Sequence, residues 1–184
     1  AFMASVSSRN LLSVGLNCSF GAREMKPFLK RLSEIAPCYV SVYPNAGLPN
    51  ALGEYDQTPQ EMAAIVREYV DEGVVNSIGG CCGTTDEFIA LFPPLVKDAV
   101  PRIPVKKPQE LWLSGLEVLT VNNRMNFINV GERCNVAGSP KFARLIREGN
   151  YEEALEIART QVQKGAKVLD FCFDDGMMDG PAAM

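Results

Sequence analysis

Histidine is absent from all 184 residues. Within this chain that excludes a histidine general base, a Ser-His-Asp triad and any mixed Cys/His zinc site. Zinc here would need sulfur ligands, with carboxylate, amide or water completing the shell. No apolar run approaches the roughly 20 residues needed to span a bilayer. The opening "AFMASVSSRNLL" lacks the charged segment and following apolar segment of a secretory signal. A basic patch is missing too: 18 Lys and Arg are scattered among 22 Asp and Glu, for a net charge of −4. That leaves no electrostatic footprint for nucleic acid or an anionic membrane. No internal repeat, low-complexity tract or CxxC pair is visible. The expectation is a cytoplasmic protein with no nucleic-acid partner and no membrane.

What is present is the composition of a globular chain, 47% apolar and 22% charged, able to bury a core. Apolar runs ending in polar or glycine-rich corners recur at 11–17, 38–47, 74–80, 126–135 and 167–176, and read as strands. Between them, 22–36, 58–73, 84–99 and 151–166 carry apolar residues at helical spacing. "TPQE" opens the second of these as a capping box with proline at the first helical position. Strands alternating with helices predict α/β architecture with parallel sheets, whose ligand sites lie at the carboxyl ends of the strands. "VPRIPVKKPQELW" (100–112) has three prolines and no periodicity, and reads as a linker. About three βα units precede it and two follow, so neither side closes a barrel, which takes eight units and about 250 residues.

Six cysteines in such a chain point to metal or catalytic use before disulfides. Cys18 follows the strand "LLSVGLN", and Cys81 and Cys82 follow "VVNSIGG", so all three thiols stand where a buried strand runs out into its loop. Three thiolates can hold Zn²⁺ and leave a fourth position for a substrate thiol, whose pKa the metal lowers. Three other readings remain: cysteines as small buried hydrophobes, which suits Cys38; a redox module using the vicinal dithiol; and a small open α/β domain with no site.

"GLNCSFGA", "YPNAGLPN" with its "EYDQTP" continuation, and "GGCCGTT" resemble the last three strand ends of the homocysteine-binding barrel of cobalamin-dependent methionine synthases. "SGLE", "NFINVGERCNVAGSPKFARLI", "YEEALEIARTQVQKGA" and "DDGMMDGPAAM" resemble the opening of that family's second barrel, which binds methyltetrahydrofolate. A cobalamin-independent zinc-dependent homocysteine S-methyltransferase would share only the first set. The resemblance implies parts of two (β/α)8 TIM barrels. Residues 1–99 would be the C-terminal part of the first, 100–114 a Pro-rich linker, and 115–184 the N-terminal part of the second. It implies methyl transfer from 5-methyltetrahydrofolate to homocysteine via cobalamin.

By the same resemblance Cys18, Cys81 and Cys82 bind Zn²⁺ and Asn45 lies near the metal and homocysteine. Asn135, Gly138, Ser139 and Asp170 would contact folate. No residue is assigned a catalytic role. Cys134 reads as structural, and Asp174, Asp175 and Asp179 as a polar loop around the pterin pocket. Two positions depart from the family: Cys172 stands where asparagine is usual, and Pro140 where a basic residue is common. The cobalamin module and the remaining domains of the full-length enzyme would act as partners, so the chain alone is expected to be inactive.

Overall fold

The structure, a computed structural model, describes residues 1–106 and 110–184. Residues 107–109, inside the expected linker, lie outside the described residues. The chain divides into two compact units, Ala1–Val121 and Asn122–Met184.

The first unit begins with α1 (Phe2–Val6), followed by β1 (Ser13–Gly21), α2 (Ala22–Ile35), β2 (Tyr39–Asn45), α3 (Pro59–Asp71) and β3 (Ser77–Ile78). The three strands form a parallel sheet in the order β1-β2-β3, with Ser13 opposite Tyr39 and Val42 opposite Ile78. Met25, Leu29 and Leu32 of α2, and Met62, Ile65, Val66 and Tyr69 of α3, recur at the three- and four-residue spacing that makes one apolar helix face. Both faces share a core with Val40 and Val42 of the central strand, which are fully buried. Thr58 and Glu61 form the expected capping box at the start of α3.

The helix expected over 84–99 is two short ones, α4 (Asp86–Ala90) and α5 (Phe92–Val96). Pro93 and Pro94 have no N–H to continue the helical ladder, so a new helix starts with them in its first turn. Past α5 the chain is irregular but anchored: Arg102, 6% exposed, donates to the carbonyl of Ser33 in the last turn of α2 and to those of Ala36 and Cys38 just beyond it. A hairpin of β4 (Leu111–Ser114) and β5 (Val118–Val121), which apolar periodicity did not suggest, closes the unit.

The second unit holds β6 (Val130–Asn135), α6 (Pro140–Arg147), α7 (Tyr151–Gln163), β7 (Val168–Cys172) and α8 (Gly180–Ala183). β6 and β7 are parallel, and Cys134, Phe142, Leu145, Ala154 and Ala158 form its core. Both units are thus α/β with parallel strands, as sections of larger barrels would be. No sheet closes on itself among the described residues.

Candidate metal centre

Cys18 sits near the end of β1, where the register with β2 breaks between Asn17 and Gly21. Cys18 and Ser19 have φ values of 62° and 69°, in the left-handed region that costs a non-glycine residue of order 1 kcal/mol or more. The break turns the chain out of the sheet at the cysteine itself.

The other two sulfurs come from the loop after β3, which the end of β2 holds in place. Cys81 N–H donates to Pro44 O (2.8 Å), Ala46 N–H to Cys82 O (2.8 Å), and Cys82 N–H to Asn45 Oδ1 (3.1 Å). Thr84 closes the turn, its hydroxyl donating to Cys81 O at 2.6 Å. Gly83 adopts φ +76°, and a Cβ there would come within 2.6 Å of Tyr55 Cγ, so both conformation and space require glycine. Gly79 lies so close to the Tyr43 ring that a Cβ would overlap it.

These backbone constraints bring three sulfurs together. Cys18 Sγ lies 3.6 Å from Cys82 Sγ, Cys81 Sγ lies 3.9 Å from Cys82 Sγ, and all three fall within 4.8 Å of one another. Tetrahedral Zn–S bonds of about 2.3 Å put ligand sulfurs about 3.8 Å apart, so the donor set fits such an ion. All three are free thiols; Cys18 and Cys81 are half-buried and Cys82 is exposed.

Their electrostatics agree. The Ser19 amide, then the Cys82 and Cys81 thiols and Asn45, hold the Cys18 thiol below its usual range. Cys82 is pushed up, first by Cys18 and then by Cys81, against the lowering effect of the Tyr55 hydroxyl. Three adjacent sulfurs resist ionising together unless a cation joins them. Burial, then the contact with Cys82, raises the Tyr55 phenol.

Asn45, at the end of β2, is 3% exposed, and its Oδ1 serves the Cys82 amide. Tyr55, which lies in the quoted "EYDQTP" but received no role from sequence, is the residue that reasoning missed. Its only sequence signal is an aromatic hydroxyl in the loop between a strand mouth and the next helix.

In the second unit Asn135, Gly138 and Ser139 share one loop. Asn135 Oδ1 accepts from the amides of Ala137 (2.8 Å) and Gly138 (3.1 Å), and Ser139, buried, stands at the position before α6 without a side-chain bond to the helix. Asp170 stands exposed on β7, on the same strand face as Cys172 by alternation, and Cys172 is the register partner of Asn135. Cys134 is fully buried and accepts from Gln161 Nε2 at 3.3 Å, a packing role. Asp175 pairs with Arg147 and accepts from Met177 N–H, which hold its carboxyl below the usual range, while Asp179 caps α8. Among the described residues the only cluster with metal-ligand geometry is Cys18, Cys81 and Cys82. No helix among them is long and apolar enough to cross a membrane.

Two family comparisons bear on these sites. Residues 1–92 match the model of the homocysteine S-methyltransferase family, and residues 131–184 match that of the pterin-binding enzymes. The first match contains the three-sulfur cluster, and the second contains the loop of Asn135 to Ser139 and Asp170.

Proposed function

The chain belongs to the homocysteine S-methyltransferase family, and from that premise we propose that Cys18, Cys81 and Cys82 form a zinc-thiolate centre for homocysteine. The succession of a homocysteine S-methyltransferase segment and a pterin-binding segment matches the junction of those domains in methionine synthase-like enzymes. It supports methyl transfer involving folate and homocysteine. The finer reading is transfer from 5-methyltetrahydrofolate to homocysteine through cobalamin, with none of the residues named here assigned to holding cobalamin.

The carrying observation is the convergence of three sulfurs from two strand ends at distances that suit one tetrahedral ion. Bound there, zinc would supply Lewis acidity, stabilising an added thiol as a nucleophilic thiolate near neutral pH. The chain's own residues do the rest. The irregular end of β1 aims Cys18, and Asn45 fixes the Cys82 amide and with it the paired cysteines. The exposed side of the cluster, at Cys82, leaves an approach for substrate. In the second unit, Asp170 would accept hydrogen bonds from a pterin's amino and ring N–H groups.

Metal analysis of the purified chain tests the reading. About one equivalent of zinc is expected, falling to a small fraction in Cys18→Ser, Cys81→Ser and Cys82→Ser alike. A folded chain that binds no zinc, or binds it equally well after all three substitutions, rejects it.

A further inference from the structure

The paired cysteines follow the least secured strand of the first unit. β3 meets β2 through Ser77 and Ile78 alone, whereas β1 and β2 run for nine and seven residues. Strand side chains alternate with a period of two, so a slip of one residue would turn those beyond β3 to the other face. Two paired residues hold register weakly, and further bonds secure it at the strand's entry.

Asn76, the residue before β3, extends the ladder with its side chain. Its N–H donates to Val40 O (2.7 Å), and its Oδ1 accepts from Val40 N–H (3.0 Å), where a longer strand would offer a backbone carbonyl. Its Nδ2 then donates to Arg102 O at 2.7 Å. Arg102 is itself held: its guanidinium donates to Ser33 O (2.6 Å), Ala36 O (2.7 Å) and Cys38 O (2.9 Å), with Nε on Ser33 Oγ (2.8 Å). α2 has no basic residue in its last turn, so Arg102 supplies from a distant segment the cation that a helix C-terminus favours. Val105 N–H adds a bond to Ala36 O (3.3 Å), and Pro101 and Pro104 narrow the backbone freedom of the segment. The turn that leads into β2 and the residue that leads into β3 are thereby joined.

We propose that Asn76 and Arg102 are positioning residues: together they clamp the entry of β3 to the turn before β2, and so set where Cys81 and Cys82 emerge at its other end. The inference rests on the zinc-centre reading and extends it to residues at the opposite end of the sheet from the cysteines. Cys81 follows Asn76 within about 17 Å of extended chain. Between them Gly79 N–H donates to Val42 O (3.0 Å), so a shift at the entry is carried along the strand.

The test measures the zinc affinity of the full 184-residue chain by competition with a chromophoric chelator. It is run well below the unfolding midpoint read by Trp112 fluorescence, since that residue packs against the first core. Asn76→Asp keeps the acceptor for Val40 and removes the donor to Arg102 O. Arg102→Met removes the guanidinium and keeps an apolar stem. Affinity is expected to fall about 2- to 30-fold in each, the range for substitutions coupled to a site they do not touch. Val66→Ala is the control, because it opens a cavity in the same core without touching the clamp. It should lower the midpoint and leave zinc affinity unchanged.

If Arg102→Met fails to fold, the milder Asn76→Asp decides. Unaltered affinity in Asn76→Asp overturns the proposal, however far the midpoint falls. So does a loss in Val66→Ala as large as that in Asn76→Asp, which would mean general loosening. An unaltered chain that binds no zinc rejects the centre and this inference together, whereas a zinc-binding chain indifferent to Asn76→Asp rejects the inference alone.

Discussion

At the scale of single residues, the cluster depends on atoms that never touch the proposed ion. Asn45 is the clearest. It is nearly inaccessible, and its Oδ1 accepts from the Cys82 amide, so it fixes the direction in which the vicinal pair leaves the backbone. Asn45→Ala removes that acceptor and leaves the amide of a metal ligand without its partner. Outer-sphere residues of this kind alter metal affinity by about 10- to 100-fold, and zinc affinity should fall by that order in competition with a chromophoric chelator. Affinity equal to that of the unaltered chain would mean that the loop is held by the Pro44 and Ala46 backbone contacts alone. The cysteines were legible in sequence because thiols at strand mouths in a chain without histidine leave few chemical options. Asn45 was legible only as a neighbour of the metal, and its bond to Cys82 required the fold. Tyr55 was not legible: an aromatic in a polar loop gives no sign that its ring will pack over Gly83, next to the paired cysteines.

At the scale of elements, α3 shows where sequence is a sufficient guide. Thr58, Pro59 and Glu61 carry their own start signal, and its start follows from local chemistry. The same helix predicts an acid-sensitive unit. The Thr58 amide and hydroxyl hold Glu61 below the usual carboxylate range, and hydrogen bonds from Lys26 of α2 do the same for Glu68 and Glu72. A carboxylate with a folded pKa below its unfolded value of about 4.3 stabilises the fold fully above that pH. Its contribution is lost as pH falls through the lowered folded pKa. The urea midpoint should therefore drop from about pH 5 downward, and more shallowly in a Glu61→Gln, Glu68→Gln, Glu72→Gln variant. Identical acid limbs would show that these groups titrate alike in both states. Elements fixed by distant partners were harder to foresee. The stretch 100–112 reads as a linker because its prolines break periodicity, yet Arg102 within it reaches the carbonyls past α2. The β4–β5 hairpin was hidden for another reason: its pairing is local, but two four-residue strands leave only weak alternation to read.

At the scale of the whole molecule, the two units have separate cores, and the proposed centre draws every ligand from the first. Zinc should therefore stabilise one unit only. The chain provides a selective probe, since its single tryptophan, Trp112, packs against the first core. A ligand that binds only the folded state adds about 2.7 kcal/mol at a free concentration one hundred times its Kd, so zinc should raise the unfolding midpoint read by Trp112 fluorescence. Phe142 is buried in the second core, against Phe171 and Phe173. Phe142→Ala should destabilise that unit by about 3–5 kcal/mol, visible as an earlier transition in far-ultraviolet circular dichroism. The tryptophan transition and its zinc shift should stay where they were. If Phe142→Ala moves the fluorescence midpoint as far as the dichroism midpoint, the units unfold as one cooperative body, and metal bound in the first would then stabilise the pterin-binding segment as well.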